Sequence, residues 1–244
     1  MTEITLVGGF SSSPDQYNYL AAKLEDYYGV SITGVNFSSA RAHPERLADL
    51  IDKQKVIAHS AGLLAVAEAM KLGAAPKEIS SIAPPIPELV RKLVWRGALI
   101  GYSNPATQEQ MEAKMASFNS KEELAQHPVL NFGAIPALGH FASLEFAAWA
   151  ESQGTDVEVA FMHNDGLFNL RNIRQASVDG ALNAGVTIKR LEGTHTRFTA
   201  NPIAVLNEVE AAPAFTLEDV ASATKDSFRT RIARPLRTGR QQTA

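Results

Sequence analysis

The stretch from Val56 to Gly62, Val-Ile-Ala-His-Ser-Ala-Gly, joins a short apolar run to a longer one that continues to Met70. The first run is typical of a buried strand, and the second is typical of a helix without polar interruption until Glu68. Ser60 therefore lies where the chain must turn sharply from strand to helix. Small residues at positions 58 and 62 let the two backbones approach closely, so the turn holds the serine hydroxyl at the carboxyl end of the strand.

Strands and helices alternate on both sides of this turn. Strand-like runs are predicted at residues 4–7, 30–37, 56–58, 79–83, 157–162 and 186–191. Helical apolar patterns separate most of them. Short apolar strands that alternate with helices predict an α/β fold, in which a mostly parallel sheet has helices on both faces.

The alternation stops after Pro84-Pro85 and resumes about fifty residues later. Three helical stretches fall in this interval, two of them opened by capping signals, and no strand-like run separates them. We therefore expect residues 1–85 and 137–215 to form one core domain, with a small helical cap inserted at residues 86–136. Residues 216–244 are expected to form a short helix followed by a basic, partly disordered tail.

The composition excludes several classes of protein. The 244 residues include no cysteine, which excludes disulfides, thiolate metal sites and a cysteine nucleophile. A net charge of −3 gives no overall attraction to nucleic acid or to an anionic membrane surface. No apolar run reaches the length of a membrane span, and the first residues do not resemble a signal peptide. We expect a cytoplasmic protein, and no pattern indicates its oligomeric state.

Two polar residues have the positions that would activate Ser60. A serine hydroxyl becomes a good nucleophile when an imidazole accepts its proton and a carboxylate orients that imidazole. In open α/β sheets such groups lie on loops after the carboxyl ends of strands. Asp165 and His195 follow the predicted strands that end at residues 162 and 191. We predict that Ser60 is the nucleophile, His195 the general base and Asp165 the orienting acid. Asp179 and Glu192 are alternative acids.

The order of these three residues, the sharp turn and the helical insertion after the fourth strand resemble the α/β-hydrolase superfamily. The resemblance spans residues 4 to 210. It implies that backbone N–H groups of Phe10 and Ala61 form an oxyanion hole. The chain departs from the commoner family pattern because Gly8-Gly9 replaces His-Gly and Ala58 replaces Gly. Neither change removes a catalytic group.

Four further side chains are candidates for lining a substrate pocket. His59 and His163 are close in sequence to the predicted nucleophile and acid, and Trp95 and Phe118 lie in the predicted cap. Apolar residues at helical spacing are also typical of ordinary packing. No two histidines have the i, i+4 spacing of a helical metal motif, so no metal or organic cofactor is expected.

These features predict a serine hydrolase that acts on a small-molecule ester or thioester through an acyl-enzyme. The same triad also serves lactonases, peptidases, carbon–carbon bond hydrolases and acyltransferases, and these activities stay open. A different class of function is a non-catalytic protein that keeps the fold and binds a ligand. The basic tail suggests a third class, an interaction protein, although isolated charge runs are usually solvated.

Overall fold

A six-stranded sheet is the centre of the fold. The computed structural model describes residues 3–9, 14–86, 141–165, 173–216 and 219. Within these residues the strands are β1 (Ile4–Val7), β2 (Ile32–Val35), β3 (Lys55–His59), β4 (Glu78–Ile82), β5 (Asp156–Met162) and β6 (Thr187–Leu191). All neighbouring strands in this sheet are parallel, which confirms the predicted α/β class.

Helices cover both faces of this sheet. In the described part of the chain they are α1 (Pro14–Tyr28), α2 (Phe37–Ala42), α3 (Pro44–Ile51), α4 (Gly62–Lys71), α5 (Ser143–Ser152), α6 (Gln175–Asn183), α7 (Arg197–Ala200) and α8 (Pro202–Ala211). Helices α1 and α8 pack on one face, and α2 to α6 pack on the other. Alternate strand residues therefore enter two apolar cores. Val56 and Ala58 face one core, and Ile57 faces the other.

The second strand is shorter than the sequence predicted, because helix α2 begins within the predicted run at Phe37. Asn36 caps this helix, since its side-chain oxygen accepts a hydrogen bond from the Ser39 amide at 2.9 Å. Asparagine is among the preferred N-cap residues. The cap therefore ends the strand at Val35, two residues before the end of the predicted run, and Asn36 is the last extended residue. The strand also begins at Ile32, two residues after the start of that run.

The strand order is β2-β1-β3-β4-β5-β6. The chain runs from β1 outward to β2 and then returns to the other side of β1 as β3. Ligand sites of open α/β sheets lie at such a change of direction, outside the carboxyl ends of the strands. Val7 of β1 is in register with Ala58 of β3, so Gly8-Gly9 and His59-Ser60 leave the sheet side by side.

Most of the predicted cap and of the basic tail lies outside the described residues, so these two assignments stay predictions. Core residues on the two sides of the predicted insertion contact each other, because the Ser143 hydroxyl donates a hydrogen bond to the Pro85 carbonyl. Across the residues that the structure describes, no helix combines the length and apolar character needed to cross a bilayer.

Candidate active site

Ser60 occupies a strained turn between β3 and α4. Its φ of 54° lies in the left-handed region, which costs a residue with a side chain about 1–3 kcal/mol. The close approach of the end of β1 to the start of α4 explains the glycine two residues later. A Cβ on Gly62 would lie 2.5 Å from the Val7 carbonyl oxygen, too close for any side chain. The sharp turn predicted around Ser60 is thus a feature of the structure.

His195 lies against the Ser60 hydroxyl. Its Nε2 atom is 2.8 Å from Ser60 Oγ, and its Nδ1 atom is 2.8 Å from Asp165 Oδ2. A carboxylate can only accept, so Nδ1 carries the imidazole proton and Nε2 of the neutral ring accepts the Ser60 proton. The Asp165 side chain is fully buried. The structure therefore brings together the three side chains that the sequence predicted as nucleophile, base and acid.

Backbone hydrogen bonds align the loops that carry the acid and the base. The His163 amide donates to the Leu191 carbonyl at 2.7 Å, and the Asn164 amide donates to the Gly193 carbonyl at 2.9 Å. These bonds continue the pairing of β5 with β6 beyond the ends of both strands. Because the two loops leave the sheet as a pair, Asp165 comes to lie beside His195.

The two alternative acids have other positions. Asp179 lies within α6, where its carboxylate accepts a hydrogen bond from the Gln175 side chain at 2.7 Å. Glu192 is exposed, and its amide donates to Glu208. The oxygen next to His195 Nδ1 is that of Asp165. The geometry thus favours Asp165 over both alternatives.

The start of helix α4 is a suitable place for an oxyanion hole. Ala61 is the N-cap residue of this helix, and the first N–H groups of a helix lack acceptors within it. The same end carries the positive pole of the helix dipole. The loop after β1 approaches Ser60, since a Cβ on Gly9 would lie 3.2 Å from Ser60 Oγ. Phe10, the other predicted donor, follows Gly9 directly and lies outside the described residues.

The four candidate pocket residues differ in their surroundings. His59 is 5% exposed and lies behind the turn, with Nδ1 2.8 Å from Tyr17 Oη and Nε2 3.2 Å from the His195 carbonyl. His163 is partly exposed, and Arg190 contacts its ring. Trp95 and Phe118 lie outside the described residues. The roles of all four in a pocket stay predictions.

Tyr17 was not predicted from the sequence as part of the site, although its hydroxyl bonds to the Gly9 amide and to His59. Its helical spacing with Leu20 and Leu24 indicates only an apolar stripe, and its side chain is buried as such a stripe predicts. The signal that sequence alone could offer is the phenol itself, because a buried tyrosine hydroxyl usually has a hydrogen-bond partner. Among the residues that the structure describes, no cluster of three or more metal-binding side chains is present.

The chain is similar to known proteins in its fold and not in its sequence. No family model matches the chain, and no curated protein matches its sequence. An esterase from Exiguobacterium antarcticum is similar in structure with a TM-score of 0.57 at 11% identity, over 86% of this chain and 92% of that chain. A bromoperoxidase from Bacillus anthracis gives 0.53 at 10% identity, over 86% and 90% of the two chains. The protein has the α/β-hydrolase fold.

Proposed function

We propose that this protein is a serine hydrolase that cleaves a small ester or thioester through Ser60, His195 and Asp165. One observation carries the proposal. The hydroxyl, the imidazole and the carboxylate form a continuous hydrogen-bonded series, with 2.8 Å at each of its two contacts. This arrangement is the one that serine acyl transfer requires.

The reaction proceeds by two transfers of the same acyl group. Ser60 Oγ attacks the carbonyl carbon while its proton moves to His195 Nε2. His195 then gives this proton to the departing alcohol or thiol as the bond to the acyl carbon breaks. Water, deprotonated by the same nitrogen, hydrolyses the acyl-enzyme and restores the Ser60 hydroxyl. Asp165 holds the ring orientation and stabilises the imidazolium that forms in each half of the cycle.

The negative charge of each tetrahedral intermediate is stabilised by backbone donors. We assign this role to the amides of Ala61 and Phe10. Each preorganised donor of this kind contributes about 3–4 kcal/mol to the transition state. The helical position of Ala61 and the close approach of Gly9 to Ser60 support the assignment.

The substrate class is proposed from the fold. The similarity in fold to an esterase supports ester hydrolysis. Thioesters, lactones, peptides, carbon–carbon bonds and acyl acceptors other than water share the same first attack. The predicted cap, with Trp95 and Phe118, would select among them, because the insertion leaves the core after β4, at the edge of the sheet where Ser60 lies. The cytoplasmic location stays a prediction from the sequence.

Labelling with a fluorophosphonate probe tests the proposal. We expect stoichiometric labelling of the wild-type protein at Ser60, read by peptide mass spectrometry, and none in Ser60→Ala. Ser81→Ala is the matched control, because Ser81 is another buried serine, on β4, and its loss should leave labelling unchanged. Folded wild-type protein that resists the probe would support the non-catalytic binding function. A panel of acyl esters, thioesters, lactones and amides then identifies the substrate class.

A further inference from the structure

A series of hydrogen bonds joins the loop after β1 to the loop after β6 behind the Ser60 turn. The Gly9 amide donates to Tyr17 Oη at 3.2 Å, and Tyr17 Oη lies 2.8 Å from His59 Nδ1. His59 Nε2 lies 3.2 Å from the carbonyl oxygen of His195. We call Tyr17 and His59 together the bridge. The bridge bonds at one end to the Gly9 amide and at the other to the His195 carbonyl, which are backbone groups of the two loops that flank Ser60.

The chemistry of the groups fixes the direction of each bond. A carbonyl oxygen can only accept, so His59 Nε2 carries a proton. In the neutral ring Nδ1 is then an acceptor, and the Tyr17 hydroxyl donates to it. The phenol oxygen in turn accepts the hydrogen bond from the Gly9 amide. Burial raises the pKa of the Tyr17 phenol well above its usual value, so the hydroxyl keeps its proton at neutral pH.

Packing holds the bridge in place. Tyr17 is 1% exposed, which allows its ring little movement. The His59 ring lies 5.3 Å from the His195 ring and 5.2 Å from the Phe198 ring, measured between centroids. Phe198 is itself completely buried. His59 is therefore fixed by ring contacts as well as by hydrogen bonds at both nitrogens.

We propose that Tyr17 and His59 are positioning residues that hold the Gly9 and His195 backbones at fixed distances from Ser60. The inference rests on the proposed function. The Gly9 backbone leads into Phe10, one of the two proposed oxyanion donors, and the His195 backbone carries the base. The bridge thus sets the donor and the base relative to the same nucleophile. A displacement of about 1 Å in such groups can reduce turnover about a hundredfold.

Two variants remove one part of the bridge each and keep an aromatic ring at the position. Tyr17→Phe removes the hydroxyl, and His59→Phe removes both ring nitrogens. With p-nitrophenyl acetate we expect each to lower kcat by roughly tenfold to a hundredfold. KM should change by less than about twofold, because in this proposal the His59 nitrogens bond to Tyr17 and to the His195 carbonyl, and His59 does not line the acyl pocket as the sequence predicted. The rate of fluorophosphonate labelling should fall in parallel with kcat.

A conservative variant and a double variant separate positioning from packing. His59→Gln keeps an N–H close to the position of Nε2, so it should retain more activity than His59→Phe. Tyr17→Phe combined with His59→Phe should lose little more than His59→Phe alone, since both changes break the same series of bonds. Independent structural defects would instead multiply their effects.

Two controls on the same helix measure what loss of stability does by itself. Leu24→Ala removes a fully buried side chain of α1 and should lower Tm at least as much as Tyr17→Phe. Tyr28→Phe removes a hydroxyl that lies outside the bridge. Assayed at a temperature where every variant is folded, both controls should keep the wild-type labelling rate.

The outcomes distinguish the inference from the function on which it rests. Wild-type protein that is not labelled at Ser60 would overturn the proposed function and the inference with it. Labelled wild type, together with Tyr17→Phe and His59→Phe at the wild-type rate, would overturn the inference alone. If Tyr17→Phe does not fold, the two His59 variants decide, and equal activity of His59→Gln and His59→Phe would contradict a positioning role.

Discussion

Ser60 and Ala83 follow the carboxyl ends of neighbouring strands and share one unusual backbone conformation. Their φ angles are 54° and 50°. Each amide continues the sheet, since Ser60 donates to the Ile82 carbonyl at 2.9 Å and Ala83 donates to the Ala160 carbonyl at 2.8 Å. We call the points where the chain leaves the sheet at Ser60 and at Ala83 the first and the second exit. The two exits differ in the residues that surround them. Left-handed backbone at a strand end is therefore insufficient to make a site.

The surroundings of Ser60 come from other loops. His195 contacts its hydroxyl, Gly9 approaches its side chain, and Gly62 lets α4 begin at once. Ala83 is instead followed by Pro84-Pro85, and it packs into the core between the sheet and helices α1 and α8. Both turns carry backbone strain, and of the two only the turn at Ser60 has a hydroxyl within hydrogen-bond distance of an imidazole. The strained turn therefore sets the direction in which the chain leaves the strand, and the neighbouring loops supply the groups that contact the side chain.

Removing the serine from the first exit should have the largest effect on activity, and placing a serine at the second exit should not restore it. We expect Ser60→Ala to lower kcat/KM about 10⁶-fold, the loss typical of a missing triad nucleophile. The double variant Ser60→Ala/Ala83→Ser restores a serine one strand away, at a position with a similar φ. It should stay inactive, because His195 lies at the first exit. Ester hydrolysis and fluorophosphonate labelling measure both variants, and labelling at position 83 would contradict the comparison.

Replacing the acid should have the next largest effect. Asp165→Asn should reduce kcat by about 10⁴-fold, because an amide NH₂ group next to Nδ1 favours the wrong imidazole tautomer. The change is nearly isosteric, so the fold should persist. Glu192→Gln is the matched control for the alternative acid and should keep the wild-type rate. Equal losses in the two variants would contradict the assignment of Asp165.

The position of the candidate triad could be predicted from the sequence because it depends on local features. Strand ends set where Ser60, Asp165 and His195 leave the sheet, and apolar runs reveal strand ends. Parallel pairing then gathers the three exits at one edge. What the sequence could not supply is the bridge, because the bond between Tyr17 and His59 joins residues that are 42 positions apart. The helical pattern records that Tyr17 is buried and does not identify its partner.

Short elements were also beyond the sequence analysis. Helix α7 has four residues and α2 has six, fewer than two helical turns each. An apolar stripe needs several turns before its spacing differs from that of a loop. α7 nevertheless matters for the site, since it carries Phe198, whose ring packs against His59.

The first exit should respond to pH through its base. Only neutral imidazole can accept the Ser60 proton, so kcat/KM should rise as pH increases from acid toward neutral. On the acid side the increase should be about tenfold per pH unit. A series of rates in buffers of constant ionic strength measures the profile. A flat profile in the range where the protein stays folded would argue against a histidine base.

Relieving the backbone strain at each exit should have a smaller effect, and it is measured as stability. A left-handed conformation costs residues with a side chain about 1–2 kcal/mol, and the greater freedom of unfolded glycine offsets part of the gain. Ala83→Gly should raise the free energy of unfolding by about 1 kcal/mol, and Ser60→Gly by less, because it also removes the hydroxyl that bonds to His195. Only Ala83→Gly should keep its activity. Urea unfolding measures both, and the control Ala160→Gly, in β5, should be destabilised.

The smallest expected effect concerns a second buried serine, two positions before the exit at Ala83. Ser81 is 1% exposed, and within the described part of the chain its Oγ has no hydrogen-bond partner. A buried hydroxyl without a partner loses its hydration and gains nothing in return. Ser81→Ala should therefore raise the free energy of unfolding, by less than about 1 kcal/mol, without altering catalysis.

Ser80 provides the matched control for that measurement. It is also buried, it points to the other face of the sheet, and its Oγ donates to Glu78 at 3.3 Å. Ser80→Ala loses a hydrogen bond, so it should be neutral or slightly destabilising where Ser81→Ala is stabilising. If urea unfolding gave the opposite order, the Ser81 hydroxyl would be making a favourable contact. Ser81 could then no longer be contrasted with Ser60 as a buried serine that lacks a partner.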